Sequence, residues 1–324
     1  MGRFARLVFA VVMLCLSVVR PAAAADDDVF PSRPMRFIVS VAPGTGADLI
    51  ARTLAEQLSL QFGKPVVVDN RPGADGAVAM QALMAAAPDG HTLAVISAGS
   101  IVLNPMTIPG LSYKLGDIRP LAGCALVTGV FATGAASRFV SMKGAFEIAG
   151  REPGRVTIGT YAGIYRMAVA GMASAAGVSL NHISYKGLAP VTSDLAGGSL
   201  DLGLLDAGTT AALINAGRLR GLAVTSAQRL PGLPDVPTLR ELGLPPPGIT
   251  IWVGTGLHRA TPEPLAAKLE QALQKAMTSP AWAALLAKLG SLERWPVGSR
   301  EFTTVVEADT EYFRANLTLL NATQ

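Results

Sequence analysis

Short apolar runs and amphipathic stretches alternate along the first third of the sequence. Residues 35–41, 66–69 and 92–96 are apolar and rich in β-branched side chains, a pattern typical of buried strands. Between them, residues 50–62 carry apolar side chains at every fourth position and residues 76–87 are rich in alanine, so both stretches predict helices. The order strand, helix, strand, helix, strand predicts a parallel sheet covered by helices.

The same order of elements returns in the second third. Strands are predicted at 155–158, 180–184 and 199–205, with helices at 165–176 and 189–196 between them. Two similar α/β units in one chain predict two lobes. The strand ends and helix N-termini of the lobes would then face each other across a cleft, where open α/β sheets bind their ligands.

The last third predicts helices that pack on lobe 1. They begin at Pro262, Pro280 and Ser299, at residue types that commonly start helices. The proline-rich segment 231–247 predicts a surface crossing between the lobes.

The first 25 residues have the pattern of an export signal. Arg3 and Arg6 precede the apolar run 7–19, and the alanines of 22–25 follow it. This is the arrangement of a Sec-type signal peptide. The apolar run is too short for a spanning helix, which needs roughly 20 residues. We therefore predict that the leader is removed and the mature chain exported; the alternative is an N-terminal anchor.

These patterns predict a division of the chain into three parts. The parts are a signal peptide, 1–25, a lobe 1 made of 26–127 and 249–324, and a lobe 2 made of 128–248.

Composition indicates a globular protein and excludes one class of partner, nucleic acid. Half of the 324 residues are hydrophobic and 15% are charged, which is enough apolar surface for a large core. The net charge is +4, but three of the 27 basic residues and none of the 23 acidic ones lie in the leader, so the mature chain is close to neutral. Because only 6% of residues are aromatic as well, we exclude nucleic acid as a partner. Cys124 is the only cysteine after the leader, which excludes an internal disulfide and favours a buried thiol.

The glycine turn 43–48, between a predicted strand and a predicted helix, is the strongest candidate site. Glycines let backbone N–H groups approach a ligand, and the helix N-terminus carries partial positive charge, so a small anion suits this turn. A dinucleotide fingerprint is the rival interpretation, because Asp69 ends the next strand. Leu49 stands at the third glycine position of that fingerprint, however, and we predict no cofactor. A purely structural turn is the remaining alternative.

A second glycine turn, 159–166, precedes the first helix of the second unit. Its hydroxyls and N–H groups also suit a small anion, and Arg166 could add a bidentate hydrogen bond to a carboxylate. The alternative for Arg166 is a solvated first-turn arginine. Asp206, just past a strand, is expected either to meet an amine of the ligand or to cap the following helix.

Signatures of catalysis and of metal binding are missing from the sequence. It contains no Gly-x-Ser-x-Gly elbow, no Walker lysine motif and no Cys-x-x-Cys. His91, His182 and His258 stand singly, without the spacing of a metal site. We therefore predict no metal and no catalytic residues.

Motifs along the whole mature chain resemble those of one family. They are VAPGTGAD at 41–48, VVVDNRPGA at 66–74, PDGHTL at 88–93, NP at 104–105, YKG at 185–187, AP at 189–190, AGRLR at 216–220, LAVTS at 222–226 and PDVPT at 234–238. In this set and order they resemble the Bug/TctC family, the periplasmic solute-binding proteins of tripartite tricarboxylate transporters.

The resemblance implies a fold, a function and a location. The fold is a two-lobed Venus-flytrap of the type II periplasmic-binding-protein class, each lobe a mainly parallel sheet flanked by helices. The function is to close on a small organic carboxylate, such as a dicarboxylate, a tricarboxylate, an amino acid or an aromatic acid, and to deliver it to membrane permease subunits without catalysis. The implied setting is the periplasm of a Gram-negative bacterium, and we expect a monomer. Two alternatives are a ligand-sensing partner of a membrane receptor and an exported α/β enzyme with Asp206, Tyr185 and Lys186 as acid–base groups.

The same resemblance places candidate ligand-binding residues on two walls. Those of the first wall are Gly44, Thr45, Gly46, Ala47, Asp48, Ser97 and Ser100. Those of the second wall are Thr160, Tyr161, Ala162, Gly163, Tyr165, Tyr185, Lys186, Gly187 and Asp206, to which the chemistry of the residue itself adds Arg166. The sequence departs from the family pattern on the second wall, where the loop 159–166 is shorter than usual, Arg166 stands at about the position of a histidine, and Leu205-Asp206 replaces an Asp-Asn pair.

Overall fold

The computed structural model describes residues 30–321. Residues 30–32 belong to an N-terminal unit of their own, and all the described helices and strands lie in the unit that begins at Arg33. The predicted signal peptide, 1–25, lies outside the described residues.

The described strands form two sheets. In chain order they are β1 (Met35–Val39), β2 (Val66–Asn70), β3 (Thr92–Ser97), β4 (Ile118–Val127), β5 (Gly129–Gly134), β6 (Thr157–Thr160), β7 (Asn181–Ser184), β8 (Leu202–Asp206), β9 (Leu219–Val224), β10 (Trp252–His258) and β11 (Leu292–Arg294). Sheet A has the strand order β11-β4-β10-β3-β1-β2, and sheet B has the order β7-β6-β8-β5-β9. Lobe 1 denotes below the part of the fold built on sheet A, and lobe 2 the part built on sheet B.

Helices follow most of the strands and cover the sheets. They are α1 (Gly46–Phe62), α2 (Ala77–Met84), α3 (Asn104–Thr107), α4 (Met142–Arg151), α5 (Gly163–Ala176), α6 (Leu188–Gly197), α7 (Ala207–Asn215), α8 (Glu263–Ala276), α9 (Pro280–Leu289) and α10 (Ser299–Asn321). Short helical turns span Ala74–Gly76, Gly99–Leu103 and Leu115–Asp117. None of the helices between residues 30 and 321 is long and apolar enough to cross a bilayer.

Each sheet is mixed rather than mainly parallel. The strands of the predicted repeats pair in parallel, β1 with β2 and β3 in sheet A, and β6 with β7 and β8 in sheet B. The antiparallel strands are β4, β10 and β11 in sheet A and β5 in sheet B, which pairs with β8 and β9. Parallel neighbours need a helical connection between them, whereas β5 and β10 are each reached by a crossing from the other sheet and can enter in the opposite direction.

The crossing between the lobes lies beside the ends of strands in both sheets. The chain passes from β4 in sheet A to β5 in sheet B through Thr128 alone. The end of β4 pairs with the start of β10, which pairs with the end of β3, while the start of β5 pairs with the end of β8. The carboxyl ends of the parallel strands in both sheets therefore lie on the side of the crossing, where ligands bind in open α/β sheets.

The C-terminal helix α10 completes the core of lobe 1. Phe302 on α10 is fully buried and meets the Trp252 ring edge-on, with ring centroids 4.8 Å apart. Farther along α10, the hydroxyl of Tyr312 lies against Gly171 of α5, so the helix also contacts lobe 2. The prediction of a buried thiol is confirmed, because Cys124 in β4 is buried and burial raises its pKa.

Candidate functional site

The first glycine turn is fixed from inside by Asp48. This carboxylate is 1% exposed and accepts hydrogen bonds from the Gly44 N–H at 2.8 Å, from Arg52 Nε at 2.9 Å and from Asn70 Nδ2 at 2.8 Å. Burial raises the pKa of Asp48, but the hydrogen bonds from Arg52, Gly44 and Asn70 outweigh burial and hold the pKa below its usual value. Asp48 therefore stays ionised, is neutralised by Arg52 and sets the shape of the turn.

The N-terminus of α1 is left open by the same turn. Thr45, the residue before the helix, turns its hydroxyl to the carbonyl of Ala42, 3.0 Å away, and no described side chain caps α1. A Cβ added to Gly44 or to Gly46 would meet nothing within 4 Å. Because the first N–H groups of a helix have no partner within it, those of Gly46 and Ala47 can bind an anion.

The turn after β3 is closely packed. Ser100 is 1% exposed, and its hydroxyl accepts a hydrogen bond from the Ser97 N–H at 3.0 Å. The carbonyl of Ser100 accepts the Tyr113 hydroxyl at 2.6 Å. Of the two serines predicted for this wall, Ser100 is thus engaged inside lobe 1, whereas Ser97 is half-buried and its hydroxyl accepts the Ser100 N–H at 3.3 Å.

In lobe 2, the hydroxyl of Thr160 is also used internally. Thr160 is 2% exposed and shares a hydrogen bond of 2.8 Å with Nε2 of His182 on β7. Burial, with a smaller contribution from the nearby Arg166 charge, lowers the pKa of His182 to about 4. His182 is therefore a neutral partner that holds the end of β6 at neutral pH.

Tyr161, Tyr165 and Asp206 lie near one another in lobe 2, where Tyr165 is buried and the other two side chains are half-buried. The two tyrosine rings lie 5.2 Å apart, and Tyr165 is 5% exposed within the core. Asp206 accepts the Thr209 N–H at 2.9 Å, so of its two predicted roles the structure contains the helix cap, on α7. Burial raises the pKa of Asp206, and hydrogen bonds from Thr209 and Gly208 oppose this rise.

The Arg166 side chain reaches the C-terminal helix α10. Its guanidinium donates to the carbonyl of Leu320 near the end of α10, and burial lowers its pKa. The side chain therefore helps to pack α5 against the C-terminal helix. The structure does not bring Arg166 to the cleft wall formed by Ala162 and Gly163.

The third predicted group lies at the outer end of the second wall. The Tyr185 hydroxyl donates to Asp194 on α6 at 2.7 Å, and burial together with that carboxylate raises the pKa of Tyr185 to about 12. The Lys186 side chain is exposed, and Gly187, with φ of 153°, precedes α6. These residues follow the edge strand β7, two strands from Asp206, a separation of about 10 Å.

The lobes touch at a point that the sequence patterns did not predict. The Gly163 N–H, at the start of α5, donates to Oδ2 of Asp75 in lobe 1 at 3.1 Å. Leu103 of lobe 1 also packs closely on Gly163, at 3.0 Å from the position of an added Cβ. The sequence indicates only a turn at Asp75-Gly76, after Pro72-Gly73. It contains no signal for the contact because Gly163, the partner of Asp75, is 88 residues away.

The described residues contain no cluster for a metal. Among residues 30–321, no group of three or more His, Cys, Asp or Glu side chains is arranged to hold an ion.

A family model and curated sequences match this chain over most of its length. The model described as Tripartite tricarboxylate transporter family receptor, TctC, matches residues 50–315. The UPF0065 protein in the tcbD-tcbE intergenic region of a Pseudomonas species is 34% identical over 268 residues, covering 81% of this chain and 79% of that protein.

Solved structures share the fold. The periplasmic binding protein BugD is 27% identical with a TM-score of 0.73, covering 90% of this chain and 99% of that one. Rpa4515 of R. palustris, solved with adipate, is 25% identical with a TM-score of 0.78, covering 90% of this chain and 98% of that one. The predicted two-lobed periplasmic-binding-protein fold is thereby confirmed.

Proposed function

The chain belongs to the tripartite tricarboxylate transporter receptor family, as its motifs predict, and from this premise we propose how its cleft works. The family is one of periplasmic solute-binding proteins. In this chain, a small organic carboxylate binds between the lobes, with one carboxylate group on the N–H groups at the start of α1. The protein then delivers the acid to membrane permease subunits, without changing it chemically and without a cofactor.

One observation carries the proposal: the start of α1 is open and uncapped at the cleft edge. Gly46 and Ala47 offer N–H groups with partial positive charge, and open space lies beside Gly44 and Gly46. The nearby Asp48 does not repel an anion strongly, because Arg52 neutralises it at 2.9 Å. The adipate in the related Rpa4515 structure supports a carboxylate as the ligand class.

Not every residue predicted for the walls has a part in this proposal. Ser100, Thr160, Tyr165 and Asp206 are engaged in contacts within their own lobes, and Arg166 contacts α10. The proposed binding groups are the backbone of Gly46 and Ala47, with Ser97 on the same wall and Ala162 on the opposite wall, where the Gly163 N–H is already bonded to Asp75.

The division into lobes, the export of the chain and its monomeric state also belong to the proposal. Boundaries at 127/128 and 248/249 are supported by the strands, since sheet A takes its strands from 35–127 and 252–294 and sheet B from 129–224. Export to the periplasm is supported by the leader pattern of 1–25 and by the family.

A thermal-shift panel tests the carboxylate. Mono-, di- and tricarboxylates, amino acids and aromatic acids are added to the mature protein, residues 26–324. A ligand at a hundredfold excess over its Kd stabilises the native state by about 2.7 kcal/mol, which gives a clear rise in melting temperature. If no acid of this panel raises the melting temperature, the proposed ligand class is wrong.

A pair of variants tests the role of α1. Gly46→Pro removes the N–H at the first helical position, where proline is well tolerated, and the preceding Thr45 already has the extended backbone that proline requires. Gly46→Ala adds a Cβ in the same open space but keeps the N–H. Because a hydrogen bond to a charged group contributes about 1.5–3 kcal/mol, the proline variant should lose about 10- to 100-fold in affinity. Equal losses in the two variants would show that the N–H does not bind the ligand.

A further inference from the structure

A carboxylate of the chain itself joins the two lobes. Asp75, in the turn between β2 and α2 of lobe 1, accepts a hydrogen bond at Oδ2 from the Gly163 N–H, 3.1 Å away. Gly163 is the first residue of α5 in lobe 2, where the helix carries partial positive charge. A negative side chain of one lobe thus occupies the place at which the start of α5 would otherwise meet an external anion.

The turn that carries Asp75 has an uncommon backbone conformation that lobe 1 holds in place. Ala74 and Asp75 have φ of 45° and 51°, in the left-handed region that non-glycine residues rarely adopt. The Asn104 amide donates to the carbonyl of Asp75 at 3.0 Å and to that of Ala74 at 3.4 Å. Gly76 packs so closely that an added Cβ would lie 3.1 Å from the Ser100 side chain. The backbone of Asp75 is therefore held by contacts within lobe 1 alone.

Apolar groups border the contact between the lobes. Leu103 lies 3.0 Å from the position of a Cβ on Gly163, and Ile164 lies 3.9 Å from that of a Cβ on Gly99. The Asp75 side chain itself is exposed, so its interaction with the helix start is that of a solvent-exposed pair. A second negative charge at the same place is still unfavourable, since two carboxylates at one site repel each other.

We propose that Asp75 is a specificity-determining residue of the cleft. Its carboxylate holds the lobes together at the start of α5 in the absence of ligand, and it excludes a second carboxylate of the ligand from that position. The inference rests on the proposed function, because it takes the first carboxylate of the ligand to bind at the start of α1. An acid with one carboxylate and an apolar far end is then preferred over a diacid, which has to displace Asp75.

Two variants of Asp75 separate its charge from its side chain. Asp75→Asn removes the charge and keeps the shape, and asparagine tolerates the left-handed conformation. Asp75→Gly removes the side chain at a backbone position that suits glycine, so both variants should fold. Asp235→Asn, at an exposed carboxylate in the turn 231–236, is the matched control for the change in net charge.

Two measurements on the mature protein test the proposal. Isothermal titration calorimetry compares hexanoate with adipate, which have the same chain length and differ by one carboxylate. Small-angle scattering of the ligand-free proteins compares their radii of gyration. We expect the wild type to bind hexanoate more tightly, and both Asp75 variants to lower the ratio of the adipate Kd to the hexanoate Kd by about tenfold, equivalent to about 1.4 kcal/mol. Both should also have a larger radius of gyration without ligand.

The outcomes distinguish this inference from the proposed function. A Kd ratio that stays at the wild-type value, as in Asp235→Asn, overturns the role of Asp75 in selection, while binding of either acid still supports a carboxylate site. An unchanged radius of gyration overturns its role in holding the lobes together. If neither acid binds to any of the proteins, the proposed function fails for straight-chain acids, and the radius of gyration alone decides whether Asp75 joins the lobes.

Discussion

Asp309 offers a test of how a buried charge beside the lobe crossing affects stability. The side chain lies on α10, is 7% exposed and accepts the Trp252 Nε1–H at 2.6 Å. Trp252 is the first residue of β10, where the chain returns to sheet A. Burial raises the pKa of Asp309 from 3.8 to about 6, although the hydrogen bond from Trp252 opposes the rise.

The sign of the effect follows from proton binding. Because the folded protein holds the Asp309 proton more tightly than the unfolded chain, protonation stabilises the fold, and this stabilisation is fully present below pH 3.8 and is lost as the pH rises through about 6. One pKa unit corresponds to 1.36 kcal/mol, so ionised Asp309 costs about 3 kcal/mol above pH 7 and about half as much at pH 5.

The variant Asp309→Asn removes this cost, and its pH dependence is the measurement. The amide oxygen can still accept the Trp252 N–H. The amide does not titrate, so any cost of burying its new NH2 group is the same at every pH. The free energy of unfolding of each protein is measured by urea denaturation between pH 5 and pH 8. The value for the variant minus the value for wild type should increase by about 1.4 kcal/mol from pH 5 to pH 8.

The free energy of unfolding has to be compared between Asp309→Asn and wild type, because other groups also titrate in this pH range. His182, whose pKa burial lowers to about 4, makes wild-type stability rise with pH over the same range and so opposes Asp309. Glu307→Gln, an exposed position two residues before Asp309 on α10, is the matched control for the loss of one negative charge. A pH-independent difference between Asp309→Asn and wild type would refute the argument that this carboxylate titrates near pH 6 in the folded protein.

Two further predictions concern packing and the thiol. An alanine at Gly134 would place its Cβ against the backbone carbonyl of Leu195, so Gly134→Ala should lower the free energy of unfolding by about 1–3 kcal/mol. Gly232→Ala is the control and should change it little, because nothing lies within 4 Å of the added Cβ. Similar losses in both variants would contradict the close packing at Gly134. Cys124 is buried and burial raises its pKa, so Ellman's reagent should label the mature protein only as fast as it unfolds, and rapid labelling in native buffer would contradict its placement in the core.

The repeated α/β units were predictable from the sequence because their signals are local. The helix over 46–62 shows its apolar spacing within the segment itself, and glycine or proline marks its ends. The crossing strands β4 and β10 escaped prediction because glycines interrupt their apolar pattern. Those glycines serve tertiary packing: an added Cβ on Gly123 would lie 2.7 Å from the Trp295 ring, and one on Gly254 would meet Phe302.

The candidate site was predictable only as far as its backbone. The glycines of the turn 43–48 indicated that a ligand can approach the backbone at a helix N-terminus, because this signal depends on neighbouring residues alone. The direction of each side chain depends on partners far along the chain. Thr160 turns to His182, 22 residues away, and Asp75 reaches Gly163 across the cleft. Spacing in the sequence contains no signal for such contacts.

Acidic side chains of the chain itself lie at the N-termini of three helices, and we expect them to limit the number of negative charges on a bound ligand. Asp206 caps α7, and Asp75 meets the start of α5 from the opposite lobe. Asp48 lies in the first turn of α1 but is turned inward to Gly44 and Arg52, which leaves the first N–H groups of that helix open. Of these three helix starts, only α1 can therefore receive an external carboxylate without displacing one that the chain supplies. Under the proposed function, we therefore expect the cleft to provide one strong anion position and to recognise the rest of the ligand by shape and apolar contact.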